Sequence, residues 1–317
     1  MKYFDGVADR RQRVNLSDEA YGTIMSDSFS FAGNEAVISY SEIICRVFLN
    51  FVECALTQNN NSKRISELLS KMPSRAQQKT PSLRDGVLEH LKQSDVVDVI
   101  NSVYGGSPGK LIKSVIEEYA EKPFTERELI YYRETVEKIN ANRDNKLRVV
   151  TGKQTLFVKP YAIMADKQST YNYLVCFAAI STEPDTYKPS SLRISRIRSV
   201  SALPDSKFNF TIFEVDEIKN ALSKKGVQFL RGELCNVVVE LSDIGKQLYN
   251  TMLFQRPNVI STDGNTCRFY CTEKQADFYF FKFGAEAKII EPISLRKEFM
   301  ERYNQAVMTY KDAESRG

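Results

Sequence analysis

Tryptophan is absent from the chain, and histidine occurs once, as His90. The six cysteines, Cys45, Cys54, Cys176, Cys235, Cys267 and Cys271, include no Cys-x-x-Cys pair, the nearest spacing being Cys267-x-x-x-Cys271. Zinc sites built from His and Cys therefore lack their usual parts, so the expectation is reduced, buried thiols with no metal and no cofactor. Long apolar runs are missing as well: none approaches the ~20 residues that span a bilayer. Met1 to Val14 carries Lys2, Asp5, Asp9, Arg10, Arg11 and Arg13 where a signal peptide would carry an apolar core, so a cytoplasmic protein with no membrane contact is expected. Glycine (14) and proline (10) are too sparse for a disordered or fibrous chain. One histidine, no metal cluster and no nucleophile elbow leave little with which to do chemistry, and an enzyme is not expected.

What is present is a folded composition, 42% hydrophobic and 26% charged, over 317 residues. At ~150 residues per core, two or three cores are expected. The net charge of +4 is small, but it is unevenly placed. Residues 1 to 60 hold 5 Lys/Arg against 8 Asp/Glu, whereas residues 143 to 200 hold 10 against 4. Polyanion affinity comes from clustered cations that release condensed counterions, so this local excess points to nucleic acid.

The first segment reads as strand, helix, helix. Arg11 to Leu16 alternates, with Arg11, Arg13 and Asn15 on one face and Gln12, Val14 and Leu16 on the other. Ser17 is a helix N-cap with Asp18 and Glu19 in the positive first turn, and that helix runs to about Phe31 before Gly33-Asn34 breaks it. Ser39 and Glu42 have the spacing of a capping box ahead of Ile43, Ile44, Val47, Phe48, Phe51, Val52 and Leu56. A short strand and two helices cannot enclose a core alone, so a second copy is expected to complete it. The stretch from Arg13 to Glu19 and that from Ser41 to Phe48 resemble the ribbon-helix-helix family of DNA-binding repressors. That resemblance implies a homodimer whose paired strands present Arg11, Arg13 and Asn15 to DNA, with a phosphate at the N-terminus of the second helix.

Residues 61 to 142 read as a helical connector. Polar loops occur at 58–62 and 73–81, and helical patterns at Leu83 to Tyr104, Lys110 to Glu121 and Thr125 to Asn142. Gly105-Gly106-Ser107-Pro108-Gly109-Lys110 fails as a phosphate loop, because Tyr104 stands where a glycine is needed and Leu111 where Ser or Thr is needed; a helix-to-helix turn is expected. His90 falls in a helical pattern as a surface or packing residue.

From residue 147 the pattern changes to short strands: Leu147 to Thr151, Thr155 to Val158, Tyr161 to Ala165, Tyr171 to Ile180 and Leu192 to Ile197, with turns at Gly152, Pro160 and Asp166-Lys167. Such a run suggests a small barrel. Asn172-Tyr173-Leu174 followed by Leu192-Arg193-Ile194-Ser195-Arg196-Ile197 resembles the WYL domain, an Sm-like barrel, with Tyr173, Leu174, Arg193, Arg196 and Ile197 matching its motifs. The resemblance implies a cationic pocket for phosphorylated nucleotides or single-stranded nucleic acid. Arginine supplies a bidentate fork to phosphate and tyrosine a ring for a base, so the candidates are Tyr173, Arg193, Arg196 and Arg198, with Arg148, Lys153 and Lys159. In a regular strand Arg193 and Ser195 face one way and Arg196 and Arg198 the other, which leaves open which face lines the pocket.

Residues 207 to 317 resemble the C-terminal extension of WYL proteins: a strand at Val237 to Leu241, a helix to about Phe254, strands near Thr266 to Cys271 and Ala287 to Ile290, and a helix from Ser294. The expected fold class is therefore α+β multidomain. It comprises a ribbon-helix-helix domain (1–60), a helical connector (61–142), an Sm-like WYL barrel (143–206) and an α+β extension (207–317). Together these resemble the WYL accessory proteins encoded beside type VI-D CRISPR effectors. That implies a non-enzymatic, homodimeric protein that binds single-stranded RNA and enhances an RNA-guided RNA nuclease. The alternative is a ligand-sensing transcription regulator that binds operator DNA through its ribbon.

Overall fold

A computed structural model of the chain describes residues 3–33, 37–58, 62–73, 80–166, 171–184 and 186–314. The expected turn residues Asn34 and Lys167, and the centres of the two polar loops at 59–61 and 74–79, lie outside them. The chain divides into two compact units. One comprises Met1–Asn142, Arg148–Thr155 and Arg193–Ala202, the other Arg143–Leu147, Leu156–Leu192 and Leu203–Gly317. The architecture is mixed helix and sheet. Among the described residues no helix is long and apolar enough to cross a membrane.

The first unit begins with an extended arm and continues as α1 (Asp18–Ser30), α2 (Tyr40–Gln58), α3 (Ser62–Ser70), α4 (Asp85–Leu91), α5 (Ser94–Val103), α6 (Pro108–Ala120), α7 (Phe124–Tyr131) and α8 (Arg133–Ala141). Local chemistry sets the starts of the first two helices. The Ser17 hydroxyl accepts the Ala20 N–H at 3.1 Å, and the Ser39 hydroxyl accepts the Glu42 N–H at 3.2 Å. The other half of the expected capping box is replaced, because the Glu42 carboxylate turns to Arg46 and Arg84.

The apolar stripe of α2, Ile43, Ile44, Val47, Phe48, Phe51 and Val52, is fully buried at helical spacing. Around it pack Ile24 of α1, Val87 and Leu91 of α4, Ile100 of α5, Leu111, Ile112, Val115, Ile116 and Tyr119 of α6 and Tyr131 of α7, in one cluster that begins at Phe4. This corrects the expectation that a second copy must complete the N-terminal core: the later helices of the same chain do so, and the core does not divide near residue 60.

The arm also differs from the expected strand. Arg11, Arg13 and Asn15 are exposed while Val14 and Leu16 are buried, as the alternation requires, but the segment makes only an isolated bridge, Arg11 to Ser82, instead of a strand. Its backbone lies against the start of α6, where a side chain on Gly109 would meet the Arg13 carbonyl at 2.7 Å. Gly109, the second residue of α6, is thus a close-approach residue just after a helix-to-helix turn. His90 packs its ring edge-on to Phe48 at 5.8 Å.

Five strands follow: β1 (Asn145–Thr151), β2 (Thr155–Ala165), β3 (Asn172–Ile180), β4 (Lys188–Arg193) and β5 (Ile197–Lys207), in sheet order β4-β3-β2-β1-β5. Pro160 does not end a strand. β2 continues past it: Pro160 pairs with Cys176, and a bulge at Tyr161 shifts the register before Ala162 pairs with Val175. The expected strand from Leu192 to Ile197 is likewise broken, by a 3₁₀ turn at Ile194–Arg196.

In the second unit α9 (Ile212–Lys225), β6 (Leu234–Leu241), α10 (Asp243–Thr251), β7 (Val259–Asp263), β8 (Thr266–Thr272), α11 (Glu273–Phe280), β9 (Ala287–Glu291) and α12 (Ile293–Glu314) follow, with a sheet ordered β7-β8-β6-β9. Its core gathers Val237, Val239, Phe269, Tyr279, Phe280, Ile289, Leu295 and Phe299.

Candidate nucleic-acid interface

The 3₁₀ turn at Ile194–Arg196 resolves the parity of the arginine strand. It turns Ser195, Arg196 and Arg198 toward one cavity of about 390 Å³ in the first unit. The other walls come from the end of α1 (Phe31, Ala32, Gly33), the start of α2 (Val37, Ile38, Ser39, Glu42, Arg46), Arg84 before α4, and Tyr131 and Tyr132 at the α7 end. Gly33 has φ +64°, and a Cβ there would sit 2.8 Å from the Ser195 carbonyl oxygen. The position therefore admits glycine for two reasons, its backbone conformation and the close approach.

Four guanidinium groups thus share one cavity with a single carboxylate among the described residues, that of Glu42. Arg46 donates to Glu42 at 3.0 Å and lies 4.9 Å from the Tyr131 ring centroid, and Arg84 also pairs with Glu42. Arg196 and Arg198 are exposed, and among the described residues no carboxylate lies within ion-pair distance of either. The N-terminus of α2 adds about half a positive charge at the same wall.

Tyr132 donates to the Phe31 carbonyl. Burial, with smaller contributions from Tyr131 and Glu128, pushes its hydroxyl well above the ordinary range, so it remains a donor at neutral pH. The Ser195 hydroxyl is buried at the wall and, among the described residues, has no hydrogen-bond partner. The arrangement offers bidentate donors beside one half-buried aromatic ring, that of Tyr132, which suits a phosphate attached to a ring.

The remaining expected site residues are elsewhere or otherwise engaged. Arg193 donates to the Ser30 carbonyl at 3.0 Å, tying the strand end to α1. Arg148 and Lys153 are exposed but do not line the cavity. Tyr173 is 7% exposed and packs in a core with Val175, Phe177, Ile218, Val227 and Leu230; as a buried core ring it is not a platform for a base, which corrects its expected role. Lys159 belongs to the second unit and donates to Glu214 at 2.8 Å, with the rings of Tyr187 and Phe208 at 5.1 and 6.0 Å; its charge is compensated. On the arm, Arg13 donates to Asn15 at 3.2 Å. Sequence reasoning missed Arg46, Arg84, Tyr131 and Tyr132, which sit in segments that are net acidic (1–60) or nearly balanced (61–142). The adjacent pair Tyr131-Tyr132 was the one local signal.

No protein-family model matches the chain, and no curated protein matches it. Among solved structures the chain is similar to one described as a CRISPR Cas-related protein, with a TM-score of 0.74 and 20% identity over 98% of this chain and 97% of that one. At that identity the likeness is one of fold. The proteasome accessory factor B/C (PafBC) of Arthrobacter aurescens aligns over 98% of this chain and 51% of its own with 11% identity and a TM-score of 0.29, too low to carry an argument.

Proposed function

We propose that the chain is a non-enzymatic accessory protein that binds single-stranded RNA at the arginine cavity and acts, as a homodimer, beside an RNA-guided CRISPR RNA nuclease whose activity it enhances. The observation that carries this reading is the convergence of Arg46, Arg84, Arg196 and Arg198 on one cavity with Glu42 as the sole described carboxylate. Such a site attracts polyanions through counterion release and accepts any sequence, because it addresses phosphate and ring rather than base edges. The fold shared with a CRISPR Cas-related protein over nearly the whole of both chains supports the context.

A second reading, a transcription regulator, is favoured by the exposed row of Arg11, Arg13 and Asn15 on the arm. Titrating labelled single-stranded RNA and duplex DNA of one sequence separates the two. The RNA reading requires tighter binding of the single strand, weakened by Arg196→Ala with Arg198→Ala and untouched by Arg11→Ala with Arg13→Ala; the reverse pattern overturns it.

A further inference from the structure

We infer that the arginine cavity takes a terminal phosphate of the strand, a phosphomonoester dianion on an end nucleotide, rather than an internal stretch of backbone. The inference rests on the reading of this cavity as the RNA site and narrows it to one part of the ligand. Size is the first argument. A groove that tracks unpaired nucleic acid engages about 4–16 nucleotides. The cavity here measures about 390 Å³, at the small-molecule end of ligand-site volumes, and so matches about one nucleotide.

Charge is the second argument. Among the described residues, four guanidinium groups and one carboxylate leave three net positive charges around that single unit, with the positive end of α2 added. An internal phosphodiester brings one negative charge and leaves most of this field uncompensated. A terminal phosphomonoester brings about 1.5 to 2 at neutral pH and one more acceptor oxygen for the arginine forks. The third argument is the lining. Arg196 and Arg198, on the turn and the strand that follows, line the same cavity as Ser39 at the start of α2, and the half-buried ring of Tyr132 lies in the same enclosure, where a terminal base has a free face that an internal, stacked base does not.

The test uses the full-length protein and one RNA sequence, internally labelled, in three forms: 5′-phosphorylated, 3′-phosphorylated and with hydroxyls at both ends. One additional phosphate charge neutralised gives about fivefold tighter binding at about 0.1 M salt. The expected result is that at least one phosphorylated form binds tighter than the hydroxyl-ended form by that factor, and that Arg196→Ala with Arg198→Ala abolishes the difference. Equal binding of all three forms, still weakened by the arginine substitutions, overturns the end-phosphate assignment and leaves the RNA-binding reading standing. If none of the three binds, both fall. A nucleoside monophosphate that displaces the phosphorylated strand at a concentration near the strand's own Kd assigns the cavity to a free mononucleotide and overturns the strand-end assignment.

Discussion

Replacing Arg196 and Arg198 together by alanine removes the two cavity cations that share no charge with a described carboxylate, whereas Arg46 and Arg84 both lean on Glu42. For a single strand each phosphate neutralised contributes about 0.7 to the slope of log affinity against log salt, so the double variant should flatten that slope by about 1.4. At about 0.1 M salt this corresponds to about 25-fold weaker binding, or about 2 kcal/mol. Both side chains are exposed, so the thermal stability should stay within about 0.5 kcal/mol of the parent. Fluorescence anisotropy of a labelled single-stranded RNA at several salt concentrations reads both quantities. Glu42→Gln supplies the opposite sign, freeing Arg46 and Arg84 to meet phosphate and steepening the slope by about 0.7. An affinity loss with an unchanged slope in the arginine variant would refute the counterion argument, and unchanged affinity would remove these side chains from the interface altogether.

Gly33→Ala forces a Cβ into a left-handed conformation and against the Ser195 carbonyl; it should cost at least about 1–2 kcal/mol and weaken RNA binding by displacing Arg196, measured by thermal melting and anisotropy. Arg127→Met leaves Asp27, which is fully buried and accepts from Arg127 at 2.7 and 3.0 Å and from Tyr119 at 2.8 Å, as an uncompensated charge. The cost should be about 3–5 kcal/mol, and circular dichroism should show the melting transition about 6–20 °C lower; a shift under about 2 °C would show that the pair contributes little.

Burial would raise the Glu121 carboxyl, but hydrogen bonds from Lys71 and Arg64 outweigh it and hold the group below its ordinary value of 4.5. A depressed folded-state pKa contributes stability that is complete above the unfolded value and lost as pH falls through the folded one. Urea unfolding should therefore find Glu121→Gln less stable than the parent at pH 7, with the gap closing below about pH 4. A gap independent of pH would assign the loss to packing.

The features legible from the chain alone are local. The N-caps at Ser17 and Ser39, the buried stripe of α2, the two faces of the segment from Arg11 to Leu16 and the strand at Asn172–Ile180 all depend on neighbours within a few positions, so spacing and capping chemistry reveal them. The charge excess in residues 143 to 200 was equally visible, and it contains Arg196 and Arg198. Tertiary structure alone decided which cations meet. Arg46, Arg84, Tyr131 and Arg196 are far apart in sequence and come from segments of different charge balance; only the packing of α2, α4 and α7 and the turn at Ile194–Arg196 bring them to one cavity. The burial of Tyr173 was likewise decided from outside its strand, by Ile218, Val227 and Leu230. The N-terminal core, which the first 60 residues cannot close alone, closes on helices up to residue 131 because apolar faces bury against whichever complementary faces the same chain supplies, whatever their distance along it.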